Sequence, residues 1–292
     1  MLERRRFAGC TFTPLRGLSQ VDLRRTQAEE LVVKPCRAVS FAAAFTFVLT
    51  LTTAISRTNA GETGKAVPDS TIRSGSLTIM WWKSPAMTIV PVGDTLVFLY
   101  SPHNGASVDS VARKNNLRCL INGSFFSGVR GDAYHAGLLT LYGSPVSPAL
   151  ADRQLTHVVR INSTAHTVTF LPAESIIPSV DPHVVEFQTG PLVIEEGKVR
   201  EDLIRSSING VTPHTRTLLA TLDGRRCFFV TVTEKVVLND LATSLRGLSV
   251  FQGGRLDVMN LDGGSSVALY LRDTPGWNYN AGDRLPILIG FH

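Results

Sequence analysis

The chain reads as an α+β protein, a largely antiparallel sheet with a few packed helices. Three observations predict this class. Short strand-like runs follow one another with little chain between them, Asp223-Gly224 marks a tight hairpin, and only two segments carry helical spacing. In order, strands are expected over 77–82, 87–92 and 95–100, where β-branched and aromatic residues alternate or cluster. A helix follows over 107–116, with Val108 and Val111 apolar and Arg113 and Lys114 polar. The chain returns to strand at 118–121, passes through a polar loop to Ala136, and resumes at 137–142. Antiparallel pairs are expected for 157–162 with 167–171 and for 184–187 with 192–195. The runs 216–222 and 226–233 flank Asp223-Gly224, a dipeptide suited to the positive φ of a two-residue hairpin turn. Leu238, Leu241, Ala242, Leu245 and Leu248 fall on one helical face behind Asn239 or Asp240. Strands at 256–260, 267–271 and 285–290 complete the reading.

The chain divides in two by composition. Residues 38–55 are apolar, follow Lys34 and Arg37, and precede Thr58-Asn59-Ala60, the order of a signal peptide with cleavage after Ala60. This assigns 1–60 to a leader and 61–292 to one domain, with 61–74 as a flexible lead-in. The expected location is secreted or periplasmic, or membrane-anchored if the segment is retained. Nine of the 29 Lys and Arg residues and four of the 24 Asp and Glu residues lie in 1–60, which leaves twenty of each in 61–292. The basicity therefore belongs to the leader, and it gives no support to nucleic-acid binding. Cys10 and Cys36 fall in the leader. Cys119 and Cys227 sit in strand-like surroundings, as a disulfide or as two buried thiols.

Chemistry concentrates where hydrophobic strands run into polar, glycine-rich ends. Four segments share this pattern: Asn122-Gly123-Ser124-Phe125-Phe126, Phe187-Gln188-Thr189-Gly190-Pro191, His214-Thr215-Arg216-Thr217, and Asn260-Leu261-Asp262-Gly263-Gly264-Ser265-Ser266. Each alone is an ordinary strand end; together they name a pocket. The amides of Asn122, Gln188 and Asn260 suit sugar hydroxyls, Arg216 suits a phosphate through its planar donor fork, and Asp262 supplies a carboxylate beside a loop of small residues.

In this order the four segments resemble the phosphodiester glycosidase family, over roughly 117–290. The resemblance implies an exported hydrolase that cleaves a glycosyl-1-phosphodiester bond in an envelope or secreted glycopolymer. Its partner is that sugar phosphodiester or glycopolymer, and no cofactor or metal is called for. The site it implies has Asp262 and Arg216 in catalysis, with Asn122, Gly123, Gln188, Thr189, Gly190, Asn260, Gly263, Gly264, Ser265 and Ser266 around the substrate. Four positions depart from the family pattern: Ser124 replaces a Gly, two glycines rather than three precede Ser265, Leu218-Leu219-Ala220 follows Arg-Thr, and His135-Ala136 precedes Gly137-Leu138.

A departing phosphate monoester is a better leaving group than a sugar alkoxide, so Arg216 can take the place of a strong general acid while Asp262 serves as base or nucleophile. Glu186, on the same strand face as Gln188, and Asp132, in the loop after the first motif, are candidates for a second carboxylate. Other combinations are poorer. Ser265 or Ser266 with His214 and an Asp would make a hydrolase triad, but no Gly-x-Ser-x-Gly elbow is present. His103, His157, His166 and His183 lack ligand spacing. Asp262 lacks the spacing of a calcium loop. Trp81, Trp82, Trp277 and Tyr279 are core residues or a sugar-facing wall. The rival class is a non-catalytic glycan-binding or polysaccharide-assembly protein that keeps the pocket without turnover.

Overall fold

The structure, a computed structural model, describes residues 66–292 except 76, 94–95, 102–104, 129–132 and 281–283. The expected leader and cleavage site after Ala60, with Cys10, Cys36, His103 and Asp132, lie outside the described residues.

Every pairing between the described strands is antiparallel. An eight-stranded sheet runs in the order Ser70–Ser74, Leu77–Lys83, Ala86–Pro91, Arg226–Val236, His214–Leu222, Leu256–Asn260, Leu192–Glu195 and Lys198–Val199. A five-stranded sheet runs Thr167–Pro172, His157–Asn162, Val184–Thr189, Leu139–Leu141 and Ser144–Ser147. A second five-stranded sheet runs Tyr279–Asn280, Ala268–Leu271, Cys119–Asn122, Ile287–Phe291 and Val97–Tyr100.

Period-two alternation decides which face meets which core. Leu219, Phe229, Val90 and Ile79 of the large sheet pack with Phe187 and Val159 of one small sheet and with Ile121 and Ile289 of the other, so three sheets share one core. Leu218, Ala220, Val230 and Val258 point the other way, under the helices Glu201–Ser206 and Leu238–Arg246. The second helix buries Leu238, Leu241, Ala242 and Leu245, the expected stripe, with Asp240 in its first turn and Arg246 in its last, matching its dipole. The helix Val108–Lys114 covers the outer face of the second small sheet through Val108, Val111 and Ala112. Because His214–Leu222 is covered on both faces, it reads from Thr217 to Leu222 as a nearly continuous apolar run.

The Asp223-Gly224 hairpin forms as expected, with φ of 56° and 69° and the Arg225 N–H donating to the Leu222 carbonyl at 3.1 Å. The pair 184–187 with 192–195 does not. Val184–Thr189 lies between His157–Asn162 and Leu139–Leu141, whereas Leu192–Glu195 pairs with Leu256–Asn260 in the large sheet. The chain changes sheets at Gly190-Pro191. Gly190 adopts φ 152°, where a Cβ would stand 2.6 Å from the Gln154 carbonyl oxygen, and Pro191 has no N–H to give a hairpin ladder. This crossing carries the second motif to the end of the strand that bears the fourth. The lead-in also needs correction, since Ser70–Ser74 is an edge strand whose one apolar residue, Ile72, packs on the shared core. The polar loop before Ala136 contains a short hairpin, Phe126–Ser127 with Tyr134–His135.

Candidate active site

The four motif segments meet at one end of the large sheet, joined by hydrogen bonds between residues far apart in sequence. Leu218 pairs with Asn260, and the Leu261 N–H donates to the Thr217 carbonyl at 2.9 Å. Arg216 and Asp262 therefore lie just beyond the paired ends of adjacent strands. The Asp262 N–H donates to the Gly123 carbonyl at 3.1 Å, and its own carbonyl accepts from Asn122 Nδ2 at 2.7 Å. The second motif is tied in through Thr189 Oγ1 to the Asn260 carbonyl (3.1 Å), Asn260 Nδ2 to the Gly190 carbonyl (2.9 Å) and Ser124 Oγ to the Gln188 carbonyl (2.5 Å).

The amides expected to meet sugar hydroxyls are therefore turned to the backbone instead. Gln188 donates to the carbonyls of Leu150 and Leu155 and accepts from the N–H groups of Leu138 and Leu150, which fills the hydrogen-bonding positions of a fully buried amide. Asn122 accepts from Thr217 Oγ1 and Ala268 N–H while donating to Asp262. Thr189 is spent on Asn260, whose own Oδ1 is buried without a partner. These side chains hold the four segments together; period-two patterning and residue type cannot distinguish such a frame amide from a ligand amide. The glycines are equally structural. A Cβ on Gly123 would stand 2.4 Å from Ile287 Cγ2, and one on Gly263 would stand 2.7 Å from the Thr215 carbonyl oxygen.

What faces outward is the remainder. Gly264 adopts φ 60° with open space where a side chain would be, and Ser265 beside it is exposed. Asp262 is partly buried, and loss of solvent raises its carboxyl to about 6, against hydrogen bonds from the Ser266 side chain and the Gly263 N–H that favour the ionised form. Arg216 is 3 % exposed, and burial pushes its guanidinium down to about 10, still protonated at neutral pH. Its Nη2 donates to the carbonyls of Asn209 and Thr212 at 2.7 and 2.9 Å, and its Nε has no partner. No carboxylate of the described residues pairs with it. A buried cation left without a counter-charge costs several kcal/mol, so the site as folded is short of one anion.

The remaining candidates separate cleanly. Glu186 is fully buried with its oxygens committed to Arg160 (Nε at 2.7 Å, Nη2 at 2.6 Å) and to the Ser179 N–H at 2.7 Å, the work of a residue that holds the 177–179 strap to the sheet. His214 bonds Thr212 Oγ1, Ser266 bonds Asp262, and neither Ser265 nor Ser266 is joined to a histidine among the described residues, so no triad assembles. His135 is buried and neutral, its ring held at about 4 by desolvation, with Nε2–H on the Leu138 carbonyl. Trp82 enters the helix-side core while Trp81 turns to the opposite face and meets Trp277 edge-on at 5.8 Å, so the aromatics form no single wall. Cys119 and Cys227 are buried free thiols with raised pKa values, Cys227 at about 12. Sequence reasoning missed Thr217 Oγ1 and the loop carbonyls of Asn209 and Thr212; only the place of Thr217 beside Arg216 hinted at the first.

The fold is shared with solved structures at low identity. The zebrafish N-acetylglucosamine-1-phosphodiester alpha-N-acetylglucosaminidase catalytic domain, auto-inhibited by its pro-peptide, superposes with a TM-score of 0.53 at 15 % identity, over 76 % of this chain and 81 % of that one. A Burkholderia pseudomallei protein described as exported gives 0.51 at 10 %, over 74 % and 75 %. A search of curated protein sequences returned no match. Among family profiles, the one described as phosphodiester glycosidase matches residues 115–291, more than half of the chain and all four motif segments. The chain thus belongs to the phosphodiester glycosidase family.

Proposed function

We propose that the protein hydrolyses a glycosyl-1-phosphodiester, releasing a free sugar and a phosphate monoester, and that its substrate is an envelope or secreted glycopolymer. The observation that carries this is the meeting of two motif ends: Arg216, a buried cation with no carboxylate paired to it among the described residues, and Asp262, a carboxylate held near 6, on adjoining strand ends of the large sheet. A substrate phosphate supplies the absent anion. In this reading the C1–O bond breaks with its electron pair leaving on the phosphate oxygen, where Arg216 stabilises the growing charge. Asp262 acts on the sugar side, as nucleophile at C1 or as base toward the water whose hydroxyl ends on C1. Ser265, exposed beside Gly264, is the loop side chain placed to contact the sugar. The name of the zebrafish relative, a sugar-1-phosphodiester glycosidase, supports the substrate class.

Because Asp262 acts ionised, the rate of sugar release should rise about tenfold per pH unit below 6 and level off above it. Free sugar measured from pH 4.5 to 8 checks this. A rate that instead falls above 6 would make Asp262 the acid, and a flat profile would remove it from the chemistry.

Export belongs to the same proposal. Its support is the apolar run 38–55 behind Lys34 and Arg37, and among the described residues no helix is long and apolar enough to cross a membrane. Intact mass of the exported protein should place Gly61 first; a species retaining 38–55 in the membrane fraction would count for an anchor.

A further inference from the structure

We propose that Thr217 is a positioning residue for Asp262, acting through Asn122. The proposal rests on the reading of Asp262 as the catalytic carboxylate and adds what holds it.

Thr217 is fully buried on the inner face of a strand covered on both sides, in line with Leu219 and opposite Thr231 across the strand pair. Val has nearly the same shape, so what the replacement removes there is the hydroxyl with its hydrogen bond and not side-chain volume. It donates to Asn122 Oδ1 at 2.6 Å, and the Ala268 N–H donates to the same oxygen at 3.0 Å. Two donors on Oδ1 fix the amide so that Nδ2 must face the Asp262 carbonyl, 2.7 Å away. With the Asp262 N–H on Gly123, both peptide groups of the catalytic residue are then tied down, and the chain turns off at Gly263, where a side chain has no room against Thr215. The carboxylate is launched from a backbone that cannot rock, the condition for reaction geometry held within a fraction of an ångström.

Thr231 provides the internal control. It is buried beside Thr217, but its hydroxyl has no partner. The same substitution at the two positions therefore differs only in the bond to Asn122.

The test is steady-state kinetics on a glycosyl-1-phosphodiester with Thr217→Val, Thr217→Ser and Thr231→Val. Removal of one buried hydrogen bond that is realised fully in the transition state corresponds to a fall in kcat of roughly five- to tenfold. Thr217→Val should show that fall at unchanged KM, Thr217→Ser should restore kcat to within about twofold, and Thr231→Val should match wild type. A Thr217→Val enzyme with wild-type kcat, or one altered only in KM or thermal stability, overturns the proposal while leaving Asp262 in place. A wild type inert toward every glycosyl-1-phosphodiester overturns both. If Thr217→Val fails to fold, the Ser variant decides, because loss of kcat there despite the retained hydroxyl would assign the position to packing.

Discussion

Replacement of Asp262 by Asn is expected to abolish sugar release and, at neutral pH, to make the folded protein more stable. Asn keeps the size of the side chain and can still accept from the Gly263 N–H, so the loop geometry survives. What is lost is the charge, and with it the base or nucleophile, a fall on the order of a thousandfold in kcat. The stability gain follows from linkage. The carboxyl titrates at about 6 in the folded protein and at 3.8 when unfolded, so the folded state holds the proton more tightly. Asp262 therefore destabilises the fold progressively as pH rises from 3.8 through 6, by up to about 3 kcal/mol above that window and by nothing below it. Denaturant melts of wild type and variant should differ at pH 7 and coincide below pH 4. A variant less stable at pH 7 would make Asp262 a turn-capping residue.

The second large effect is at Arg216. Arg216→Lys keeps a positive charge yet should lower turnover by about 3 kcal/mol, on the order of a hundredfold. In the fold, Nη2 is occupied by the carbonyls of Asn209 and Thr212, and Nε is buried without a partner. A single ammonium cannot grip both carbonyls and also present a fork to a phosphate. Binding of a glycosyl-1-phosphate, followed by calorimetry, should weaken in parallel, since the anion then loses its partner. Kinetics and binding equal to wild type would remove Arg216 from the site.

The fold class was legible because alternation and turn chemistry are local signals: the Asp223-Gly224 hairpin and the stripe from Leu238 to Leu245 appear where their spacing puts them. The partner of 184–187 was not, because Gly190-Pro191 can end a strand equally well by reversal or by a crossing to another sheet. Only the observed pairing of 184–189 with 157–162 and of 192–195 with 256–260 settles that. The site was legible as a set of segments and misread as a set of contacts. The segments of Asp262 and Arg216 come together at one sheet end, yet Asn122, Gln188 and Thr189 were assigned to sugar because an amide or hydroxyl looks the same in sequence whether it faces a ligand or a neighbouring carbonyl. Glu186 was misjudged in the same way, since its partner Arg160 comes from another strand.

The most direct test sets release against binding. Purified protein is incubated with a panel of glycosyl-1-phosphodiesters, free sugar is quantified, and ligand affinity is measured on the same samples for wild type and Asp262→Asn. The account predicts free sugar and a phosphate monoester from wild type, no release from the variant, and comparable affinity in both. Tight binding without release by wild type would contradict it and leave a glycan-binding protein that keeps the pocket and not the reaction.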